Sequence, residues 1–175
     1  MLKKIAIAIV VVIAAILIYA ATRPDTFRVE RTATMKAPPD RIYAVLSDFQ
    51  KWGAWSPWEK KDPAMKRTFG ATTSGVGAKY AWEGNKDVGK GSMEIVEATP
   101  PSRLKLKLDF IEPFEAHNTV DYTLTPSGGS TTVNWAISGP MPYVSKVMCI
   151  FVSMDSMIGK DFEAGLANLK AVVEK

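Results

Sequence analysis

The sequence predicts an α+β domain in which a curved antiparallel sheet of about seven strands is closed by a long C-terminal α-helix, with a single transmembrane helix before it. Three features predict this architecture. An uncharged apolar run lies near the N-terminus, segments of alternating apolar and polar residues fill the middle, and apolar residues recur at three- and four-residue steps near the C-terminus. Aliphatic and aromatic residues make up 47% of the chain and charged residues 23%, a balance typical of a folded protein with a sizeable core.

The N-terminal run is a candidate membrane anchor. It carries no charge from Ile5 to Ala21. At ~1.5 Å per residue such a helix is roughly 26 Å long, at the short end of what crosses a bilayer core. A cleaved signal peptide is the alternative, but cuts after Ala20 or Ala21 would put Ile18 or Tyr19 where a small residue is required. We therefore predict an uncleaved anchor.

The charges before the anchor predict its orientation. Lys3 and Lys4 precede the apolar run, and the positive-inside rule keeps such residues in the cytoplasm. We expect a single pass through the inner (cytoplasmic) membrane, with residues 1–24 as the anchor and a short linker. Residues 25–175 then form one folded domain on the periplasmic or extracellular side.

Composition excludes several classes of function. The formal net charge is +4, and basic and acidic residues are interspersed without the basic stripe that phosphate binding favours, so we predict no nucleic-acid partner. Cys149 is the only cysteine and His117 the only histidine, which excludes an intramolecular disulfide and a cysteine–histidine metal site. We expect no metal and no cofactor.

The middle of the chain predicts one strand, a short helix and then six further strands. The stretch TFRVERTATMKA alternates as a strand does, and PPDRIYAVLSDFQKW begins with prolines and continues with apolar residues at helical spacing. Five period-two segments follow, and the last of them folds back at residues 127–129 and so supplies two strands. Their sequences are MKRTFG, GAKYAWEG, GKGSMEIVEAT, RLKLKLDFIE and AHNTVDYTLTPSGGSTTVNWAIS.

Three tryptophans lie close together in KWGAWSPWEKKDP. Gly53 and Pro57 separate Trp52, Trp55 and Trp58 and make a regular helix or strand unfavourable there. The sequence predicts a loop in which the indoles plug one end of the sheet, or form a rim or lid over a cavity mouth and a ledge on a membrane surface.

The C-terminal region predicts one continuous amphipathic helix. Apolar residues recur at helical spacing from Val147 to Val173, and such a stripe requires an apolar surface of equal length. The curved sheet is the only surface of that size in the chain. We therefore expect this helix to lie along the sheet.

The order of these elements resembles the SRPBCC (START/Bet v 1-like) superfamily, whose fold is the helix-grip. APPDRIYAVLSDFQKWGAWSPW is similar to the N-terminal signature of the bacterial polyketide cyclase/dehydrase-like group, and GKDFEAGLANLK to its terminal-helix motif. The resemblance implies a cavity between sheet and helix for a lipid, sterol or polycyclic compound. Strand alternation and helix spacing suggest as ligand-binding residues Tyr80, Trp82, Leu106, Leu108, Phe110, Asn118, Tyr122, Trp135, Met154 and Asp161.

Three polar residues are candidates for catalysis. Asp161 falls on the apolar stripe of the helix. There it is either a half-exposed edge of the stripe or the partner of a sheet residue such as Arg31, or it serves as a ligand anchor or general acid/base. Alternation places His117 on the exposed face of its strand and Asn118 on the inner face. A bulge before residue 118 would exchange these faces.

These observations predict a membrane-tethered, non-catalytic domain that binds an apolar small molecule or lipid in an internal cavity, as a carrier, sensor or sequestering module. Two alternatives stay open. One is a cyclase/dehydratase-type enzyme, in which Asp161, Asn118 or His117 moves a proton. The other is a protein-interaction module that uses the three tryptophans as an anchor patch. The sequence identifies no protein partner.

Overall fold

A computed structural model describes all 175 residues and contains five α-helices, one 3₁₀ helix and seven strands. The elements in chain order are α1 Leu2–Ala21, β1 Thr26–Met35, α2 Pro39–Leu46, the 3₁₀ helix Phe49–Ala54, α3 Pro57–Lys61, β2 Lys66–Phe69, β3 Lys79–Glu83, β4 Lys90–Thr99, β5 Arg103–Glu112, β6 Ala116–Ser127, β7 Ser130–Pro140, α4 Tyr143–Met148 and α5 Met154–Val173.

The seven strands form one antiparallel sheet, which confirms the predicted fold class. Their order is β1-β7-β6-β5-β4-β3-β2, so β2 to β7 form a meander and β1 pairs with the last strand. The predicted turn at residues 127–129 joins β6 to β7, and both of its glycines have positive φ (55° for Gly128 and 81° for Gly129). Glycine adopts this left-handed backbone without a steric penalty, so the hairpin can close tightly.

The inner face of the sheet is apolar because side chains alternate along each strand. In β5, Leu104, Leu106 and Leu108 are buried, whereas Lys105 and Lys107 form ion pairs on the outer face. Full burial of each leucine contributes about 1.5–3 kcal/mol to stability. The register is interrupted by an irregularity in β4 between Ile95 and Glu97, a feature that bends a strand locally.

The prediction of one continuous C-terminal helix is wrong, because two helices are present. α4 ends at Met148 and α5 begins at Met154. The Ser153 side chain accepts a hydrogen bond from the backbone N–H of Ser156 and so caps α5, and Asp155 adds a favourable negative charge in the first turn. The break allows α4 to pack against α1 while α5 lies along the sheet beside β1.

One end of the sheet adjoins α1, and we call it the α1 end. β1 starts there, β7 finishes there, and the β3–β4 and β5–β6 turns reach the same end. α4 is held to α1 by the Tyr143 hydroxyl, which donates to the Leu17 carbonyl at 2.8 Å, and to the linker by an ion pair of Lys146 with Asp25. The domain and the end of α1 are therefore directly joined.

α1 is the one helix that is long and apolar enough to cross a membrane. It has 20 residues and a mean hydropathy of 2.7. Only Ala20 of this helix is buried. Apart from the contact with α4 near its C-terminal end, its apolar surface is not covered by the folded domain.

Candidate functional site

The three tryptophans were predicted to lie in a loop. They lie instead in or directly beside two short helices. Residues 49–54 form a 3₁₀ helix that the Asp48 carboxylate caps by accepting from the Gln50 N–H. Because a 3₁₀ helix has three residues per turn, Phe49 and Trp52 share one face, and Trp55 follows at the same spacing. Both tryptophans are buried. The three-residue spacing was the signal for this arrangement.

The inward side chains of this segment fill the middle of the space between sheet and α5. Trp55 meets Trp135 of β7 with ring centroids 5.5 Å apart, and Trp135 stacks on Phe162 of α5 at 4.1 Å. Tyr122 of β6 lies 5.3 Å from Trp135. We call Trp55, Tyr122, Trp135 and Phe162 the aromatic cluster. The large cavity implied by the resemblance is occupied here by side chains.

Trp52 and Trp55 therefore belong to the core and not to an exposed rim. The Trp52 indole N–H donates to the Leu46 carbonyl at 3.0 Å, which satisfies its polar atom inside the protein. Trp58 is half-buried, and its ring meets Trp135 edge-on at 5.8 Å. Of the three indoles, only Trp58 lies near the surface.

Three polar atoms of the aromatic cluster have no hydrogen-bond partner in the protein. They are the indole nitrogens of Trp55 and Trp135 and the hydroxyl of Tyr122, and all three are buried. Burial raises the pKa of Tyr122 well above its ordinary value, so this hydroxyl stays protonated and can donate. Each unpaired polar group costs about 1–3 kcal/mol. An acceptor brought to these donors would recover part of that cost.

The inner face beyond the cluster is also aromatic. Tyr80 and Trp82 of β3 stack at 6.0 Å, and Trp82 meets Phe110 of β5 edge-on at 5.7 Å. The Trp82 N–H donates to the Val88 carbonyl at 3.3 Å. Burial raises the pKa of Tyr80, whose hydroxyl lies 3.4 Å from a carboxylate oxygen of Glu59. These polar atoms have partners within the protein.

Several apolar residues toward the α1 end of the grip contact the core but are only partly buried; they are Phe27, Met93, Phe110, Met154 and Ile158. Asn118 points inward beside Leu108, its partner across β5 and β6. A Cβ at Gly139 would lie 2.0 Å from the Asn118 Oδ1 atom, so glycine is required for this close approach.

Asp161 is half-buried, as expected for the edge of the stripe, but its partner is not Arg31. Its carboxylate accepts from the Lys61 Nζ of α3 at 2.6 Å. Arg31 lies along α5 between Asp155 and Glu163, with N–O distances of 2.7 Å to each. The reason is position along the helix: α3 covers the turn that carries Asp161, whereas β1 faces the two acidic residues on the neighbouring side.

His117 lies on the outer face, where it contacts two acidic residues. Its Nδ1 is 2.7 Å from Asp109, and its Nε2 is 3.4 Å from Glu115. The hydrogen bond to Asp109 raises the pKa of His117. Thr119 and Ser138 line an open, mostly polar pocket beside it. The β5–β6 register is continuous, so no bulge turns His117 inward.

The structure thus separates the three candidate catalytic residues. Asp161 is paired at the α3–α5 contact, Asn118 lies inside the grip, and His117 is on the opposite face of the sheet. No group of three or more histidine, cysteine, aspartate or glutamate side chains is placed to hold a metal ion. The arrangement offers hydrogen-bond donors and apolar surface inside the grip, without a paired acid and base.

An exposed apolar surface surrounds the α1 end, and we call it the apolar rim. Ile111 and Phe114 lie at the β5–β6 turn. The remaining residues belong to α4 and the segment after it; they are Val144, Met148, Phe151 and Val152. The sequence pattern did not reveal this surface, because Phe151 was predicted to lie on the buried stripe of one long helix.

Solved structures share this fold at low sequence identity. Protein CV1439 from Chromobacterium violaceum is 19% identical with a TM-score of 0.58, covering 87% of this chain and 99% of its own. Aha1 from Colwellia psychrerythraea, a dimer in solution, is 14% identical with a TM-score of 0.60, covering 85% and 96%. CalU16 from Micromonospora echinospora is 16% identical with a TM-score of 0.55, covering 83% and 65%.

Sequence comparison gives the family directly. No curated protein sequence matches this chain significantly. A family model described as "Polyketide cyclase / dehydrase and lipid transport" matches residues 26–174, which include every strand and α2 to α5. The chain therefore belongs to this polyketide cyclase/dehydrase and lipid-transport family of the SRPBCC superfamily, as its N-terminal and terminal-helix motifs suggested.

Proposed function

We propose that this protein is a membrane-tethered domain that binds an apolar small molecule or lipid inside the grip, as a carrier, sensor or sequestering module. The ligand would carry a hydrogen-bond acceptor, such as a carbonyl or carboxylate oxygen, at its buried end. The observation that carries the proposal is the set of unpartnered donors in the aromatic cluster. The apolar character of the surrounding inner face supports the same class of ligand.

The tether is supported by α1. Its apolar surface is exposed to solvent in the folded chain, which is unfavourable in water and favourable in a bilayer. Lys3 and Lys4 support a cytoplasmic N-terminus, with the domain on the periplasmic or extracellular side. A tether of this kind keeps the domain beside a pool of apolar molecules and raises their effective concentration.

The donors define the chemistry of the ligand. Both indole N–H groups can only donate, and the Tyr122 hydroxyl is protonated, so each of the three requires an acceptor. In the closed aromatic cluster none of them has one. A ligand oxygen would pair them after a shift of the surrounding rings, and its apolar part would extend along the partly buried residues toward the α1 end.

The direct test compares two variants that each delete one unpartnered buried hydroxyl. Tyr122→Phe removes the hydroxyl of the aromatic cluster, whereas Tyr43→Phe removes the one on α2. Full-length protein from a bacterial membrane is analysed by native mass spectrometry and organic extraction. We expect one class of apolar molecule to copurify with wild-type protein and Tyr43→Phe and to be depleted in Tyr122→Phe.

Lipids that bind around α1 can be distinguished from a ligand in the grip, because their amounts should be equal in wild type, Tyr43→Phe and Tyr122→Phe. Equal loading of every bound class in Tyr122→Phe and wild type would contradict the proposed role of the cluster. A ligand-free mass that persists after incubation with a total lipid extract would contradict binding in the grip.

A further inference from the structure

We propose that the apolar rim docks onto the surface of the bilayer that holds α1, so that the α1 end of the grip faces lipid. This inference rests on the proposed function of α1 as a membrane anchor. It adds a second, peripheral contact with the membrane, made by the folded domain. The occupant of the rim is the lipid surface itself.

The distribution of exposed apolar side chains is the first observation. After residue 21, eight of the eleven large apolar residues that are exposed lie at or beside the α1 end. The most exposed of them are Phe114 (73%), Phe151 (71%) and Val144 (70%). An apolar surface concentrated in this way marks an interaction site, whereas exposed apolar residues scattered singly do not.

The second observation is how closely this end is joined to α1. Only residues 22–25 separate α1 from β1. The Tyr143 hydroxyl donates to the Leu17 carbonyl in the last turns of α1, and Lys146 of the same short helix pairs with Asp25. These contacts hold α4 level with the C-terminal end of α1. If α1 spans the bilayer, α4 is therefore at the interface.

The residues at this level suit an interface. Tyr19 is in the last turn of α1, and Tyr143 of α4 contacts α1 at Leu17. The Arg23 guanidinium is 5.8 Å from the centre of the Tyr19 ring. Tyrosines are enriched where membrane and water meet, and a cation can extend toward the headgroups. Apolar residues on such a segment insert about 5–10 Å into the boundary between headgroups and acyl chains.

The contact is apolar rather than electrostatic. Glu112 and Glu115 flank the β5–β6 turn, Lys90 lies opposite Glu112 in the sheet, and Lys146 is buried in its ion pair with Asp25. The six side chains of the apolar rim carry no charge, so docking through them should persist at high salt.

Docking has a consequence for the ligand. Phe27, Phe110 and Met154, which are partly buried apolar residues of the grip, lie at the same end as the apolar rim. A ligand leaving the bilayer would pass from acyl chains to these side chains without crossing water. Docking of the rim would thus connect this end of the grip directly to the membrane.

The test places a fluorophore at selected sites of the full-length protein in phosphatidylcholine vesicles. In a Cys149→Ser background, single cysteines replace Phe114, Phe151 or Val76 and carry an environment-sensitive nitrobenzoxadiazole label. Val76 is the matched control because it is also an exposed apolar residue, but in the loop at the opposite end of the sheet. We expect spin-labelled phosphatidylcholine to quench the labels at 114 and 151, in low and high salt, and to leave the label at 76 unchanged.

A charge variant provides an independent readout. Phe151→Glu combined with Val152→Glu changes two exposed residues and should leave the fold intact. We expect loss of quenching at position 114 in this variant, whereas Val76→Glu should preserve it.

Two results would overturn the inference in distinguishable ways. If the protein stays in the vesicles after an alkaline wash but the labels at 114 and 151 behave like the label at 76, the rim does not dock and the anchor still holds. If the wash removes the protein, α1 is not an anchor, and both the tether and the docking surface are wrong.

Discussion

At the scale of single residues, some polar groups have a hydrogen-bond or ion-pair partner within the protein and others have none. Arg31 and Asp161 both have partners at short distance on the surface of α5 or α3. The donors of Trp55, Tyr122 and Trp135 have none, and they are inside the grip. Because buried polar groups in folded proteins are nearly always paired, these three atoms are the observation on which the proposed binding site rests.

The pair of His117 and Asp109 should make stability depend on pH. The pKa of His117 is raised in the folded protein by its hydrogen bond to Asp109. Its contribution is therefore fully present below the unfolded pKa of about 6.5 and is lost as pH rises through the folded value. Thermal unfolding of wild type and His117→Asn should differ most near pH 5 and converge by about pH 9.

Asp109→Asn is the partner control for this prediction, because it removes the carboxylate that raises the pKa of His117. The difference between wild type and His117→Asn should shrink in that background. A difference that stays constant from acid to alkaline pH would contradict the assigned pair.

Gly165 should tolerate no side chain. A Cβ there would lie 2.6 Å from the Trp135 ring and 3.1 Å from Pro57. Trp135 is buried and stacked on Phe162, so it has little room to shift. We expect Gly165→Ala to lose about 1–3 kcal/mol by overpacking, against a gain of about 0.8–1.0 kcal/mol in helix propensity.

Denaturant unfolding of the full chain in detergent, followed by tryptophan fluorescence, measures the net change at Gly165. Gly53→Ala is the control, since a Cβ at Gly53 meets nothing within 4 Å. An unfolding midpoint of Gly165→Ala at or above that of wild type would show that the cluster is looser than described.

At the scale of elements, two features shape the grip: the 3₁₀ helix and the break between α4 and α5. The 3₁₀ helix directs Phe49 and Trp52 inward and is followed by Trp55 on the same side, which closes the middle of the grip. The break between α4 and α5 separates a helix that packs on α1 from one that packs on the sheet. The 3₁₀ helix is only six residues long, and the C-terminal helical region is interrupted between Met148 and Met154 although apolar residues continue at helical spacing.

Ser153 should stabilise the start of α5. Its hydroxyl accepts from the Ser156 N–H at 3.1 Å, and no other side chain caps this terminus. Ser153→Ala should cost about 1 kcal/mol, whereas Ser153→Asn should preserve stability because asparagine is an equally good N-cap. Denaturant midpoints of the two variants and wild type measure this, and equal midpoints for all three would contradict the capping role.

At the scale of the whole molecule, the position of α1 relative to the grip matters most. The sheet edge formed by β1 begins directly after α1, and α4 returns to α1 after β7. The folded domain is thus fixed next to the proposed membrane span at two points. In the proposed tethered arrangement, this geometry turns the α1 end toward the bilayer, and not the opposite end with the β6–β7 hairpin.

The orientation of the chain can be tested at the same scale. An alkaline phosphatase fused after Lys175 should be active in a bacterial host, because the positive-inside rule exports the C-terminal domain and the enzyme requires an oxidising compartment. Lys3→Glu combined with Lys4→Glu should lower that activity. A fluorescent protein that folds only in the cytoplasm is the complementary reporter, and its fluorescence at the same position would contradict the orientation.

The sequence by itself determined the sheet, the apolar α1 helix and the family. Period-two alternation in segments such as RLKLKLDFIE reflects the two faces of a strand, and turn residues such as Gly128 and Gly129 mark where strands reverse. These are local properties, so they can be predicted without knowing what lies across the interior.

Only the tertiary structure decided which side chains meet. Local periodicity could not show that Lys61 pairs with Asp161, that Trp55 fills the grip beside Trp135, or that α4 turns back to α1. Each of these depends on residues far apart in the chain, and their contacts follow from how helices and sheet pack together. The unpartnered donors of the aromatic cluster could not be predicted from the sequence either. That a donor lacks an acceptor is known only when the positions of all its neighbours are known.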